Sequence, residues 1–266
     1  MITDRQAETE RENGHGIADI HIHSSLTDGM ADVSQILEFV EERTDLDVIA
    51  ITDHDKIEGS FQARELAAKR GYRFEVITGM EVTTQQGHLL ALYLESPVPS
   101  FKPLANTIEA IHSQGGISVV PHAMIRLTDS IMRHGLEGIV ASRKQGLYLD
   151  GIETISGSIF GPILNRRASE FNRTYSLAAT GGSDAHFLTT VGSVITIFPG
   201  RSATDLKRSL SERTTRAANG LKVRLSDLKF SQLMGYIVKS RRTFVRNSWK
   251  ALKRSIIDEH RSHLSL

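Results

Sequence analysis

Between Ile17 and Ile197 the chain alternates short runs of β-branched and other apolar residues with stretches whose apolar positions return every three or four residues. The first pattern predicts strands and the second amphipathic helices, and their alternation predicts βα units around a mainly parallel sheet. The expected strands are Ile17–His21, Asp47–Ile51, Arg73–Thr78, Gly87–Leu94, Gly116–Val120, Leu149–Ile155, Tyr175–Thr180 and Ser193–Ile197. Val33, Ile36, Leu37 and Val40 share a helical face behind Asp32, whose carboxylate suits an N-cap, while Glu38, Glu41 and Glu42 face water. A second helix is expected where Pro103 opens and Gly115-Gly116 closes a segment carrying Leu104, Ile108 and Ile111 on one face.

From about Leu221 the rhythm changes. Basic residues such as Lys239, Arg241, Arg242 and Arg246 outnumber Asp227, Asp258 and Glu259. Phe230, Leu233, Met234 and Ile237, then Val245, Trp249, Leu252 and Ile256, recur at helical steps, which predicts a helix packed on the main domain. The opposite basic face can alternatively follow a nucleic-acid backbone or anionic headgroups. The expected organisation is a frayed tail over residues 1–16, one domain over 17–220 and a basic, amphipathic helical extension over 221–266.

Composition narrows the chemistry. The 266 residues are 39% hydrophobic and 24% charged, enough for one α/β barrel of roughly 250 residues. Lys+Arg at 32 against Asp+Glu at 31 leave no strong overall field for polyanions, so any basic preference is local. The absence of cysteine rules out disulfides and thiolate ligands, so any metal is held by nitrogen and oxygen. The charged start lacks the apolar stretch of a secretory signal, and no later run reaches the ~20 apolar residues of a membrane span, so a cytoplasmic location is expected.

His21 and His23 flank Ile22, so on a continuing strand both imidazoles point one way. Asp28 follows in a turn-like Thr-Asp-Gly, where an aspartate also serves as an ordinary loop cap. The apolar run ending at Ile51 stops in Thr52-Asp53-His54-Asp55, and the next stops in Gly79-Met80-Glu81. Gly87-His88 opens an apolar run, Pro121-His122 ends one, and two glycines followed by Asp184 and His186 end another. Each signal alone has an ordinary reading as a surface or capping residue. Together, six histidines and three acids gather at strand ends, whereas His15, His112, His134, His260 and His263 scatter. The C-terminal ends of parallel strands form the active-site face of a barrel. Nine donors exceed the four to six that one ion takes, so two or three ions of Zn²⁺, Mn²⁺ or Fe²⁺ are expected.

These motifs, HIH, TDG, TDHD, GME, GHLL, PHA and GGSDAH, resemble in order and spacing those of the PHP (polymerase and histidinol phosphatase) family of metal-dependent phosphoesterases, from about Ala18 to Phe198. The resemblance implies a distorted seven-stranded, TIM-like βα barrel with a trinuclear metal centre. It implies His21, His23, Asp28, His54, Glu81, His88, His122, Asp184 and His186 as ligands, with Glu81 as the bridging carboxylate. Some relatives carry histidine where Asp28 stands, and aspartate is the form of small nucleotide phosphatase members. Many relatives have proline after the histidine matching His122, whereas here Pro121 precedes it and Ala123 follows.

Paired cations would bring a shared water toward a pKa of ~7, supplying hydroxide and offsetting charge on the phosphoryl oxygens. His54, His186 or a metal-bound water can protonate the leaving group, and Arg126 can clamp phosphate with its two-pronged guanidinium. Arg126 is equally well read as an exposed loop arginine, and Arg166 and Arg167 suit a solvated helix face. Asp53 and Asp55 suit residues that orient an imidazole. The expected activity is phosphomonoester hydrolysis on a nucleotide or other small phosphorylated metabolite. The alternatives are a 5′-3′ exonuclease or 3′,5′-bisphosphate phosphatase guided by the basic segment, and a non-catalytic, metal-stabilised accessory domain.

Overall fold

The computed structural model describes residues 9–124, 129–142, 146–158, 161–222, 234–241 and 245. Its strands are β1 His15–Ile22, β2 Val48–Ile51, β3 Glu75–Ile77, β4 Gly79–Thr84, β5 Gly87–Leu92, β6 Ile117–Val120, β7 Gly151–Ser156, β8 Ala178–Gly182, β9 Val194–Pro199 and β10 Arg216–Asn219. They form two five-stranded sheets, ordered β10-β9-β1-β2-β3 and β4-β5-β6-β7-β8. The described helices are α1 Val33–Arg43, α2 Glu58–Arg70, α3 Leu104–His112, α4 Arg133–Val140, α5 Gly161–Tyr175 and α6 Ala203–Glu212. None of the described helices is long and apolar enough to cross a membrane.

Two open sheets thus replace the expected closed seven-stranded barrel. Pairing is parallel within β1-β2-β3 and β6-β7-β8, but antiparallel for β4-β5, β5-β6, β1-β9 and β9-β10. The cause is local. Only Thr78 separates β3 from β4, and its hydroxyl donates to the Leu94 carbonyl at 2.7 Å, so the chain steps from one sheet to the other without a helix. The turn at Gln85-Gln86 then returns β5 directly alongside β4. On the opposite flank β8 meets β9 through a side chain: Thr196 Oγ1 accepts from the Gly181 amide at 3.0 Å and donates to its carbonyl at 2.8 Å. A Cβ at Gly181 would lie 2.4 Å from the Ile195 carbonyl oxygen, so this approach requires glycine.

The helices form where the pattern places them. Asp32 caps α1 by accepting from the Gln35 amide at 2.9 Å, and Gln35 Oε1 accepts from the Asp32 amide in return at 3.0 Å. Val33, Ile36, Leu37 and Val40 then pack with Ile22, Ile49 and Ile51. Leu104, Ile108 and Ile111 of α3 enter a second cluster with Met80, Leu89 and Val120. Burying each such side chain is worth about 1.5–3 kcal/mol, which anchors the strands whose ends carry the polar motifs.

At the far end of β6 and β7, His112 Nε2 lies 2.8 Å from Asp150 Oδ2, which also accepts from the Ser118 amide and hydroxyl. Burial works against a charged His112, but the hydrogen bond and charge of Asp150, helped by the Gly146 carbonyl, outweigh it and raise its pKa above 6.5. That pairing contributes stability in full below the unfolded-state pKa and loses it as pH rises through the folded-state value. His112→Gln is therefore expected to lower the melting temperature most below about pH 6.5, with the gap narrowing at higher pH. Melting curves from pH 5 to 9 check this, and a gap that does not vary with pH contradicts it.

Candidate metal centre

The nine polar residues of the motifs come together. Their ligand atoms form four overlapping groups, each within 4.8 Å: His23, Asp28, His54 and His186; His21, His23 and Asp184; His21, Glu81 and His122; and His54, Glu81 and His88. β1 carries His21 at its end and continues to His23, while Ile22 between them turns into the apolar cluster. Loop amides fasten the other contributors to this edge. The His23 amide donates to the Ala185 carbonyl at 2.9 Å, the Met30 amide to that of His186 at 2.8 Å, and the Asp55 amide to that of Glu81 at 2.8 Å.

Glu81 stands at the middle. Its Oε2 lies 3.5, 3.3 and 3.0 Å from ring nitrogens of His21, His23 and His54. Its Oε1 lies 2.9 and 3.1 Å from those of His88 and His122. Burial alone would favour a neutral carboxyl, but His88, His54 and His21, with the hydrogen bond from His122, hold Glu81 well below the usual range. Asp28 is likewise depressed: burial is opposed by His54 and His186. The same charges act on the rings. Burial opposes a charged His54, yet Glu81 and Asp28 raise it to about 10. His23, buried and facing His186 and His54, falls to about 4.

The hydrogen bonds decide which ring nitrogens are free. His122 Nδ1 lies 2.9 Å from Ser130 Oγ, and that hydroxyl donates to the His122 carbonyl at 2.6 Å, so it accepts the Nδ1 proton. His21 Nδ1 donates to Glu153 Oε1 at 2.9 Å, and His186 Nδ1 to the Asp184 carbonyl at 2.9 Å. All three imidazoles therefore turn Nε2 toward the cluster, where that of His122 is hydrogen-bonded to Glu81 Oε1 at 3.1 Å and those of His21 and His186 are left with a lone pair. There His21 Nε2 faces Asp184 Oδ1 at 3.4 Å and His186 Nε2 faces Asp28 Oδ2 at 3.3 Å. Neither Nε2 has a hydrogen-bond partner, and Glu81 Oε2, Asp28 Oδ1 and both nitrogens of His23 are equally unsatisfied and buried. Buried lone pairs facing carboxylates cost several kcal/mol unless a cation lies between them, so this donor set fits divalent metal.

His122 and Asp184 adopt φ of 30° and 50°, the left-handed region that costs a non-glycine residue about 1–2 kcal/mol. The Glu153 side chain and Ser130 hold His122 there, the first by accepting from its amide at 2.9 Å.

Glu153 is absent from the motif-based set, although it positions both His21 and His122. A carboxylate inside the apolar run Gly151–Ser156 was its signal, and it is 1% exposed. Asp19 is a second such residue. It accepts from the amides of Ser183 and Gly192 at 3.1 and 2.8 Å, and burial pushes its pKa up to about 6 against those hydrogen bonds. Asp53 orders the loop that carries Asp28 instead of the expected imidazole, accepting from the Ser24 amide and hydroxyl and from Thr27 Oγ1 at 2.8, 2.6 and 2.5 Å. Asp55 accepts from the amide and hydroxyl of Thr83. Arg166 is solvated, pairing with Glu170 on the surface. Arg126 lies outside the described residues.

The extension approaches the centre by an unexpected face. Over residues 234–241, Met234 and Ile237 of the expected packing stripe are 45% and 39% exposed. Tyr236 instead lies edge-on to His186, with ring centroids 4.7 Å apart. Phe230, Leu233, Trp249, Leu252 and Ile256 lie outside the described residues.

Known proteins share the fold and parts of the sequence. A two-domain protein from Bacteroides vulgatus, containing a predicted PHP-like metal-dependent phosphoesterase, shares the fold with a TM-score of 0.64 and 21% identity, over 85% of this chain and 70% of that one. An uncharacterized protein of Methanocaldococcus jannaschii is 28% identical over 162 residues, covering 57% of this chain and 88% of its own. The phosphoribosyl 1,2-cyclic phosphate 1,2-diphosphodiesterase of Eggerthella lenta is 33% identical over 104 residues, 36% of this chain and 38% of that protein. A PHP-associated family model matches residues 162–215, and the PHP domain model matches residues 19–179, more than half of the chain, which therefore belongs to the PHP domain family.

Proposed function

We propose that this chain hydrolyses phosphate esters, taking a small phosphorylated compound such as a nucleotide. In this reading His21, His23, Asp28, His54, Glu81, His88, His122, Asp184 and His186 hold two or three divalent cations. The observation that carries it is the set of buried Nε2 and carboxylate atoms turned toward one another without hydrogen bonds. Manganese, iron and zinc all suit ligands of this kind. Such cations, when bound, bring the pKa of a water toward ~7 and offset charge gathering on phosphoryl oxygens.

The protein's own groups supply the rest. Glu153, Ser130 and the Asp184 carbonyl hold the Nδ1 protons of His21, His122 and His186, which keeps each Nε2 directed inward. The side chains of His54, His88 and His186 are 15%, 11% and 10% exposed, against none for His21 and His23, so these three stand at the open side. There we assign His54 to the departing alcohol, which it can protonate, because His186 has Nδ1 held by the Asp184 carbonyl and Nε2 turned to the cations. Arg126, four residues past His122, is proposed as the phosphate clamp on the chemistry of its guanidinium.

Phosphate release from nucleoside monophosphates, 3′,5′-bisphosphates and short RNA, measured with manganese, iron or zinc, tests this reading. The expected result is release from a mononucleotide with at least one of these metals, lost on chelation, restored by readdition and little affected by salt. Turnover that survives chelation contradicts it, as does a fully loaded protein that releases phosphate from no ester. Activity confined to RNA and falling steeply with salt would transfer the assignment to a nuclease.

A further inference from the structure

The helical stretch 234–241 belongs to the segment expected to pack on the main domain through its apolar stripe, yet a different face turns inward and meets the clustered histidine and acid side chains. Tyr236 is half-buried, edge-on to His186 at 4.7 Å and to Phe187 at 5.6 Å, with its hydroxyl hydrogen-bonded by Ser240. One helical turn on, Lys239 Nζ donates to the carbonyls of Gly29 at 2.7 Å and Ser25 at 3.1 Å. Those carbonyls belong to the loop that carries Asp28. Gly235 lies close to the same loop, where an added Cβ would be 3.0 Å from Met30 Cε. Met234, Ile237 and Val238 point away and are exposed. The face turned inward is thus an aromatic ring and an ammonium, and the apolar stripe is turned out.

We propose that Tyr236 and Lys239 form one wall of the substrate mouth and set the size of the ester it admits: Tyr236 is the wall and Lys239 the latch that fastens it to the Asp28 loop. An internal phosphodiester has chain leaving on both sides of its phosphorus, whereas a terminal phosphate has chain on one side only. A wall held against the His186 and Asp28 flank therefore favours the terminal ester. The latch is strong for its size, because an ammonium to carbonyl hydrogen bond is charge-assisted. The inference rests on the phosphate-ester reading above and narrows its substrate class to terminal phosphates of small compounds.

The test uses two probes that are not consumed, inorganic phosphate and a phosphorothioate pentanucleotide without terminal phosphates, titrated calorimetrically into manganese-loaded protein. Tyr236→Ala and Lys239→Met are expected to tighten pentanucleotide binding about tenfold, the scale of removing one well-placed aromatic, while changing phosphate affinity less than about twofold. Tyr236→Phe and Lys239→Arg, which keep the ring and the charge, are expected to hold the wild-type ratio of the two affinities. The sign is diagnostic: a lysine that merely attracts a polyanion would weaken pentanucleotide binding when lost. Weaker pentanucleotide binding by Lys239→Met, or parallel changes in both probes, overturns the proposal. The rate at which EDTA removes manganese gives a second measurement that needs neither turnover nor probe binding. It is expected to rise in Lys239→Met, and an unchanged rate overturns the wall even if Tyr236→Ala fails to fold. A wild-type protein that hydrolyses no ester would refute the phosphate-ester reading, whereas the binding ratio and the EDTA rate would still decide for or against the wall.

Discussion

Glu81→Gln is expected to cost the protein most of its bound metal and to lower phosphate release by roughly 10³-fold, well beyond the ~10–100-fold of a supporting residue. One carboxylate faces the ring nitrogens of five histidines through its two oxygens. An amide keeps the volume, so the surrounding packing survives. It removes the negative charge that would let neighbouring cations share a ligand, and one of its two positions becomes a donor. Metal content by elemental analysis and kcat/KM on the best ester check this together. A variant with wild-type metal content and wild-type turnover would remove Glu81 from the centre.

Glu153→Gln is expected to weaken metal binding ~10–100-fold although Glu153 belongs to none of the clustered ligand groups. Both of its oxygens accept: Oε1 from His21 Nδ1 at 2.9 Å and Oε2 from the His122 amide at 2.9 Å. Glutamine offers one acceptor and one NH₂, so it cannot serve both donors. If its NH₂ faces the His122 amide, two donors collide in a buried site. If it faces His21, the ring must accept at Nδ1 and move its proton to Nε2, where the cation would bind. Gly182→Ala reaches the same point by crowding, since its Cβ would lie 2.1 Å from Glu153 Oε1 and 2.7 Å from His21 Cβ. Competition against a chelator of known affinity measures both variants. Wild-type affinity in Glu153→Gln would show that His21 does not depend on this hydrogen bond.

How far the centre is readable before folding depends on where each group lies. His21, His54, Glu81, His122 and Asp184 interrupt or end apolar runs, and a core strand has no packing reason to end in such groups. Glu153 and Asp19 also sit in apolar runs, but in the middle of the run rather than at the end where it gives way to a polar motif, so their signal is a buried charge that only tertiary structure satisfies. Sheet pairing is less legible still. Periodicity marks a strand but not its neighbour, and β4 follows β3 after one residue, so two strands in different sheets read as one run ending in a polar motif. β10 carries Arg216 and Asn219 around two alanines and has no alternating apolar face to announce it. In the extension, the stripe of Met234 and Ile237 is regular enough to predict a buried face, yet Tyr236 and Lys239 take that place. Contacts to His186 and to the Gly29 carbonyl outweigh the burial of a short aliphatic stripe there.

Anomalous X-ray diffraction from crystals grown with manganese addresses the metal centre itself. Two or three anomalous peaks are expected inside the cluster, each about 2.0–2.3 Å from nitrogen or oxygen atoms of the nine named side chains, with Glu81 touching more than one. No peak within bonding distance of His21, Glu81 or Asp184, in crystals of protein that turns over a phosphate ester, would contradict a metal centre built from these residues.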